Sequence, residues 1–236
     1  MVILNHLSDR GSNFEAPKKD NFNLNMSIGI KLEMISLSEI DTTTKRATKA
    51  IGFSWGIAEE VGKNMKTMEL FGLPGVKNLN EYFKNYPIKK FQKISLISEK
   101  NISQKIPYCP IISGVNFLDQ INTLEKIKEV SFENMAYPIL FLPFVSRSSE
   151  VIGKRIFLNI DKKEFLLNFN QTIYTNIVDQ LVIEKANTVR LSFIENNNSF
   201  SDKEWQEIYK LSENTFVEEN DSLKKHGAGA GLTDND

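Results

Sequence analysis

The chain of 236 residues carries 29 basic and 30 acidic side chains, a formal net charge of -1 and 41% hydrophobic residues, enough apolar material for the core of a compact fold. At a pI near 6.2 there is no global basic field, and because nucleic-acid affinity rests largely on clustered Lys and Arg, a nucleic-acid partner is not expected. The longest apolar run, 138–145, falls far short of the roughly 20 residues that cross a bilayer as a helix, so no membrane span is expected either.

Residues 1–27 hold scattered charges and several asparagines without apolar periodicity, which reads as a disordered leader or a translation start placed too early, with Met26 or Met34 as alternatives. The signal changes at Ser36. With Glu39 three residues on it predicts a helix start, and Leu37, Ile40, Thr44, Ala47 and Ile51 recur at helical spacing as far as Gly52. Ser54 opens a second helix whose inward stripe is Ala58, Val61, Met65 and Met68, while Gly56, Ala58 and Gly62 permit a close helical neighbour. A hairpin of two helices is the result, then the turn 73–75 and a short third helix over 76–83.

Residues 91–99 fit strand or helix equally well. A turn-rich stretch around Pro107, Cys109, Pro110 and Gly114 comes next, and then an expected helix over 116–128. The run 138–145 is apolar on every side and reads as a buried strand, with Pro143 suggesting an edge or a bulge. Residues 155–160 and 164–170 alternate around Asp161, Lys162 and Lys163, which predicts a hairpin. A helix over 174–185, a strand over 189–194 and a last amphipathic helix from Ser201 through Phe216 complete the pattern. The expected class is α+β: an N-terminal helical hairpin packed on a small, mainly antiparallel sheet, with a C-terminal helix and tail. The expected organisation is a leader over 1–27, one domain over 28–225 and a Gly-rich acidic tail over 226–236.

Cys109 stands alone and the only histidines are His6 and His226, which leaves neither a disulfide framework nor a thiolate or imidazole zinc cluster. No metal site is expected, and no cofactor is identifiable. Segment 56–64 has a superficial likeness to a phosphate loop, but its glycine spacing is wrong and Asn64 stands after Lys63 where Ser or Thr is needed. Residues 1–10 carry no secretion signal, so a cytoplasmic setting is the expectation.

The blocks SLSEI, SWGIAEEVGK, CPIISG, LFLPFVSR and C-terminal GAGAGLTDND together resemble an uncharacterised bacterial family, a domain of unknown function, over roughly residues 35–236. The resemblance marks positions without implying a reaction.

Candidate residues therefore come from chemistry. Glu59 and Glu60, after Trp55, offer a carboxylate pair beside an aromatic wall for acid–base work, although acids in a first helical turn ordinarily just complement the helix dipole. Cys109 is a nucleophile only if a base such as His226 reaches it, and is otherwise a small core residue. The composition of 24 Lys, 5 Arg, 24 Asn and 25 Ile fits an AT-rich genome, so an arginine kept against that bias draws notice. Arg147, placed at the end of the expected strand beside Ser146, Ser148 and Ser149, suits a carboxylate or phosphate, or else pairs with a structural carboxylate such as Asp161 or the chain end. Gly227, Gly229 and Gly231 with Asp234, Asn235 and Asp236 after them suit insertion into a groove of this chain or of a partner. Two readings result. One is a small-molecule metabolic protein, catalytic or not, that binds an anionic organic ligand through Arg147, with Ser146, Ser148 and Trp55 alongside. The other is a noncatalytic accessory subunit whose tail docks into a partner enzyme. The sequence leaves the oligomeric state open.

Overall fold

In the computed structural model the described residues are 2–5, 35–86, 90–177 and 181–215. They fall in two compact units, Met1–Glu195 and Asn196–Asp236. The class is α+β, as expected. Within the leader only β1 (Val2–Asn5) is described, and it is a strand. The tail over 226–236 lies outside the described residues.

In the first unit α1 (Leu37–Ala50) begins where Ser36 accepts from the Glu39 amide, and α2 (Trp55–Leu70) where Ser54 accepts from Ile57. Buried Thr44 and Thr48 return their hydroxyls to the Ile40 and Thr44 carbonyls, at 2.6 and 2.7 Å, which leaves no unmet polar atom on those side chains. The two helices approach closely at Gly62, where an added Cβ would lie 2.8 Å from the Asp41 carbonyl oxygen. Helix α3 (Gly75–Asn85) comes after the turn.

The strand β2 (Lys100–Ile102) precedes α4 (Pro110–Asp119) and the single turn α5 (Ile121–Leu124). The helix expected over 116–128 is thus displaced toward the N-terminus. Pro110 fits the first turn, where no amide donor is needed, and Cys109 acts as the cap. The chain then enters β3 (Glu129–Ala136), a strand absent from the sequence expectation.

The run expected as a buried strand over 138–145 is instead a 3-10 turn, Pro138–Leu140, leading into α6 (Leu142–Ile152). Apolar residues on all sides do not separate a buried strand from a buried helix. The prolines decide it. Pro138 opens the 3-10 turn and Pro143 lies in the first turn of α6, where neither costs a helical hydrogen bond.

The expected hairpin forms as β4 (Arg155–Ile160) and β5 (Lys163–Asn168), with Leu158 opposite Phe165. The helix expected over 174–185 is not formed among the described residues of that span: β6 (Thr172–Thr175) continues the meander. Phe169 and Asn170 both have positive φ, 51° and 56°, the backbone of a tight hairpin turn, and the β-branched Thr172, Ile173 and Thr175 favour the strand after it. Strand β7 (Lys185–Ile194) closes the sheet in the order β1-β6-β5-β4-β7-β3-β2, with only β2 and β3 parallel.

One face of the sheet buries Ile156, Leu158, Ile160, Phe165, Leu167, Val189 and Leu191. Helix α6 lies against β4 and β5 on one side and against α2, α4 and α5 on others. In the second unit α7 (Asp202–Glu213) starts with a reciprocal capping box between Ser201 and Glu204, and Phe200 stacks on Trp205 at 5.4 Å.

Adding a methyl at Gly62 forces α1 away from α2, since the obstructing atom is backbone. Gly62→Ala is expected to cost about 1–3 kcal/mol and to lower Tm by several degrees in a thermal melt. An unchanged melt would show that the helices do not approach there as described.

Candidate functional site

Arg147 does not end a strand. It sits in the middle of α6 and turns toward α2, inside the helical layer rather than at a sheet edge. Its Nη1 donates to Glu60 Oε2 and, at 3.3 Å, to Asn64 Oδ1. Glu60 Oε1 in turn accepts from Lys63 at 2.9 Å. Two cations therefore share one carboxylate. The Arg147 and Glu60 side chains keep about a quarter of their surface, 25% and 24%.

The structural carboxylate that Arg147 meets is Glu60, not Asp161. Asp161 caps the backbone of Thr188 and Asn187 at 2.9 and 3.3 Å. Burial raises the Glu60 carboxyl, but the hydrogen bonds from Arg147 and Lys63 and their charges outweigh it, holding its pKa below the ordinary carboxylate value. Glu60 is thus a partner for cations at neutral pH.

The other expected members separate from this cluster. Successive helical residues point about 100° apart, so Glu59 is exposed while Glu60 turns toward α6, and the two do not form a carboxylate pair. Trp55 is largely exposed at the start of α2, with Lys49 Nζ 5.6 Å from the ring centroid. Ser146 donates to Asn170 Oδ1 at 3.0 Å, Ser148 to the Phe144 carbonyl at 2.9 Å and Ser149 to the Ser146 carbonyl at 2.8 Å. The serine hydroxyl hydrogens are committed to the fold and add no donor beside Arg147.

Cys109 is 1% exposed and occupies the cap of α4. Its Sγ shares a hydrogen bond with Tyr82 Oη at 3.0 Å and accepts from the Ile112 amide at 3.4 Å. Burial pushes the thiol pKa up despite these contacts, which disfavours the thiolate that a nucleophile needs. Around it Tyr82, Tyr86, Phe91 and Tyr137 form one packed ring cluster. The expected base His226, and the tail residues Gly227, Gly229, Gly231, Asp234, Asn235 and Asp236, lie outside the described residues.

Two members of the cluster, Lys63 and Asn64, are not among the residues that sequence reasoning singles out for a site. They belong to the segment whose likeness to a phosphate loop fails. Yet Asn64 falls on the same stripe as Val61 and Met68, and a polar residue on an apolar stripe signals a buried polar contact. Among the described residues no group of three or more His, Cys, Asp and Glu is arranged to hold a metal ion.

Residues 35–108 match a family model described as "Protein of unknown function (DUF3726)". The match takes in the SLSEI and SWGIAEEVGK blocks, and with them Glu60, Lys63 and Asn64, and stops one residue short of Cys109. Arg147 lies beyond it. No curated protein and no solved structure matches the chain.

Glu60→Gln is expected to lower stability at pH 7. Because the folded pKa is depressed, the contribution of Glu60 is present above the unfolded carboxylate value and is lost as pH falls through the folded one. In urea titrations the gap between wild type and variant should shrink on moving from pH 7 to acid below the ordinary carboxylate range, and a constant gap would show that the ion pair contributes nothing. A thiol reagent should label Cys109 only under denaturing conditions; rapid labelling of the native chain would contradict its burial.

Proposed function

We propose that the chain is a cytoplasmic small-molecule metabolic protein that binds an anionic organic ligand at Arg147. The observation that carries this reading is the charge and donor count of the α2–α6 cluster. Arg147 and Lys63 together bring two positive charges to the one carboxylate of Glu60, so the three side chains retain a net charge of one cation. Only Nη1 of the guanidinium is engaged with the described residues, which leaves the Nη2 and Nε donors to an incoming oxygen. A guanidinium held in place by a partner loses little side-chain freedom when it then takes an anion.

Glu60 acts here as a placeholder. It keeps the guanidinium oriented and its charge balanced at partial burial, and it is exchangeable because Lys63 on the same helix already holds its other oxygen. The expected ligand group is small, since the Arg147 and Glu60 side chains are only about a quarter exposed.

The test is thermal denaturation in low-salt buffer with acetate, malonate, succinate, sulfate or inorganic phosphate. A ligand held at about ten times its Kd adds about 1.4 kcal/mol and should raise Tm by about 3–6 °C. That shift should vanish in Arg147→Ala, which by itself should cost about 1–3 kcal/mol because Glu60 then keeps only Lys63. Absence of any anion-induced shift, or an equal shift in Arg147→Ala, would overturn the reading.

A further inference from the structure

Asn64 is fully buried on α2, yet its amide is only half used. Oδ1 accepts from Arg147 Nη1, and Nδ2 has no hydrogen-bond partner among the described residues. The orientation of the amide is set by chemistry, because a guanidinium has donors and no acceptor and therefore requires the amide oxygen on its side. The nitrogen is left as a buried donor, one carbonyl carbon away from the atom that touches Arg147. Buried donors without acceptors are rare in folded proteins, and each one asks for an explanation.

We propose that Asn64 and Arg147 together read a carboxylate, with Nδ2 of Asn64 donating to one ligand oxygen and the remaining donors of Arg147 to the other. This rests on the anion-binding reading of Arg147 and adds the ligand class and the residue that selects it. A planar group with two oxygens matches one amide donor beside one guanidinium edge. A tetrahedral phosphate brings further oxygens, and Lys63, the other donor of the cluster, is held by Glu60.

The ligand carboxylate neutralises the one positive charge that the empty cluster retains. The ligand carboxylate replaces Glu60 as the partner of Arg147, while Glu60 swings outward on its long side chain and stays with Lys63, which is 57% exposed. No proton or electron moves. The occupied site then has two ion pairs where the empty one has a shared carboxylate, and one of the two orphaned amide hydrogens of Asn64 is satisfied.

The experiment uses the full chain labelled with ¹⁵N and titrated with acetate, malonate and inorganic phosphate, alongside Asn64→Asp, Asn64→Leu and Glu60→Gln. The side-chain amide resonance of Asn64 in the wild type should move with malonate or acetate and saturate at the same concentration as the thermal shift. Asn64→Asp removes the donor and adds an acceptor, and should weaken carboxylate binding at least tenfold. Glu60→Gln removes the internal competitor and should strengthen it. Carboxylates should bind more tightly than phosphate.

Binding that depends on Arg147 but is unchanged in Asn64→Asp or Asn64→Leu, with a stationary amide resonance, would overturn the role of Asn64 and leave the anion site standing. A preference for phosphate would overturn the ligand class. No anion binding to the wild type would overturn both readings. Should the Asn64 variants fail to fold, the wild-type amide resonance decides alone.

Discussion

The structure is organised around a helix that is buried nearly all the way round. The first two turns of α6 are enclosed by the sheet at β4 and β5 and by α2, α4 and α5, so every polar group they carry must be met locally or directed to a single opening. Ser148 and Ser149 meet the first requirement by bonding back to their own helix, and Ser146 by reaching Asn170 in the turn between β5 and β6. Arg147 meets the second. Its long side chain leaves the helix toward α2, where Glu60 and Asn64 receive it at partial exposure. The ion pair and the back-bonded serines thus answer one constraint, a polar sequence on an enclosed helix.

Close packing supports this arrangement. Gly114 on α4 lies directly against the ring of Phe144 on α6, with no room for a Cβ, just as Gly62 sets the approach of α1 to α2. The helical layer is therefore fixed at two crossings by residues without side chains. Between them α2 presents its stripe of Val61, Asn64, Met65 and Met68 at a defined depth. Depth is what gives the Arg147 cluster its chemistry: the same three side chains on an open surface would be screened by water and salt.

Elements with a clear period or cap were legible from sequence. The starts of α1, α2 and α7 follow from serines three residues before the amides they cap, and the β4–β5 hairpin from strict alternation about a polar turn. Elements without a period were not. The run that forms α6 is apolar on all sides, so neither a 3.6- nor a 2-residue repeat stands out, and its prolines are compatible with either structure until their position in a first turn is known. Strand β3 hides its alternation because Asn134, at φ 65°, interrupts it before Met135. The turn that redirects the chain into β6 places a phenylalanine at positive φ, where composition points to glycine or asparagine. Arg147 draws notice in the sequence by its rarity among basic residues and Glu60 as a candidate acid, but their pairing is not legible there, because the two meet only through the packing of α2 on α6.

The pairing of β3 with β7 has a bearing on how the chain folds. These neighbours enclose between them, in sequence, α6 and the whole β4–β5–β6 meander. The meander is built from local contacts and closes quickly, whereas pairing β3 with β7 must bring together segments separated by all of it. Helix α6 shortens that search, since it begins soon after β3 ends and packs on β4, the strand that β7 must join. A chain in which α6 is slow to dock would leave β3 and β7 exposed along their edges, in the state most prone to pairing with another molecule.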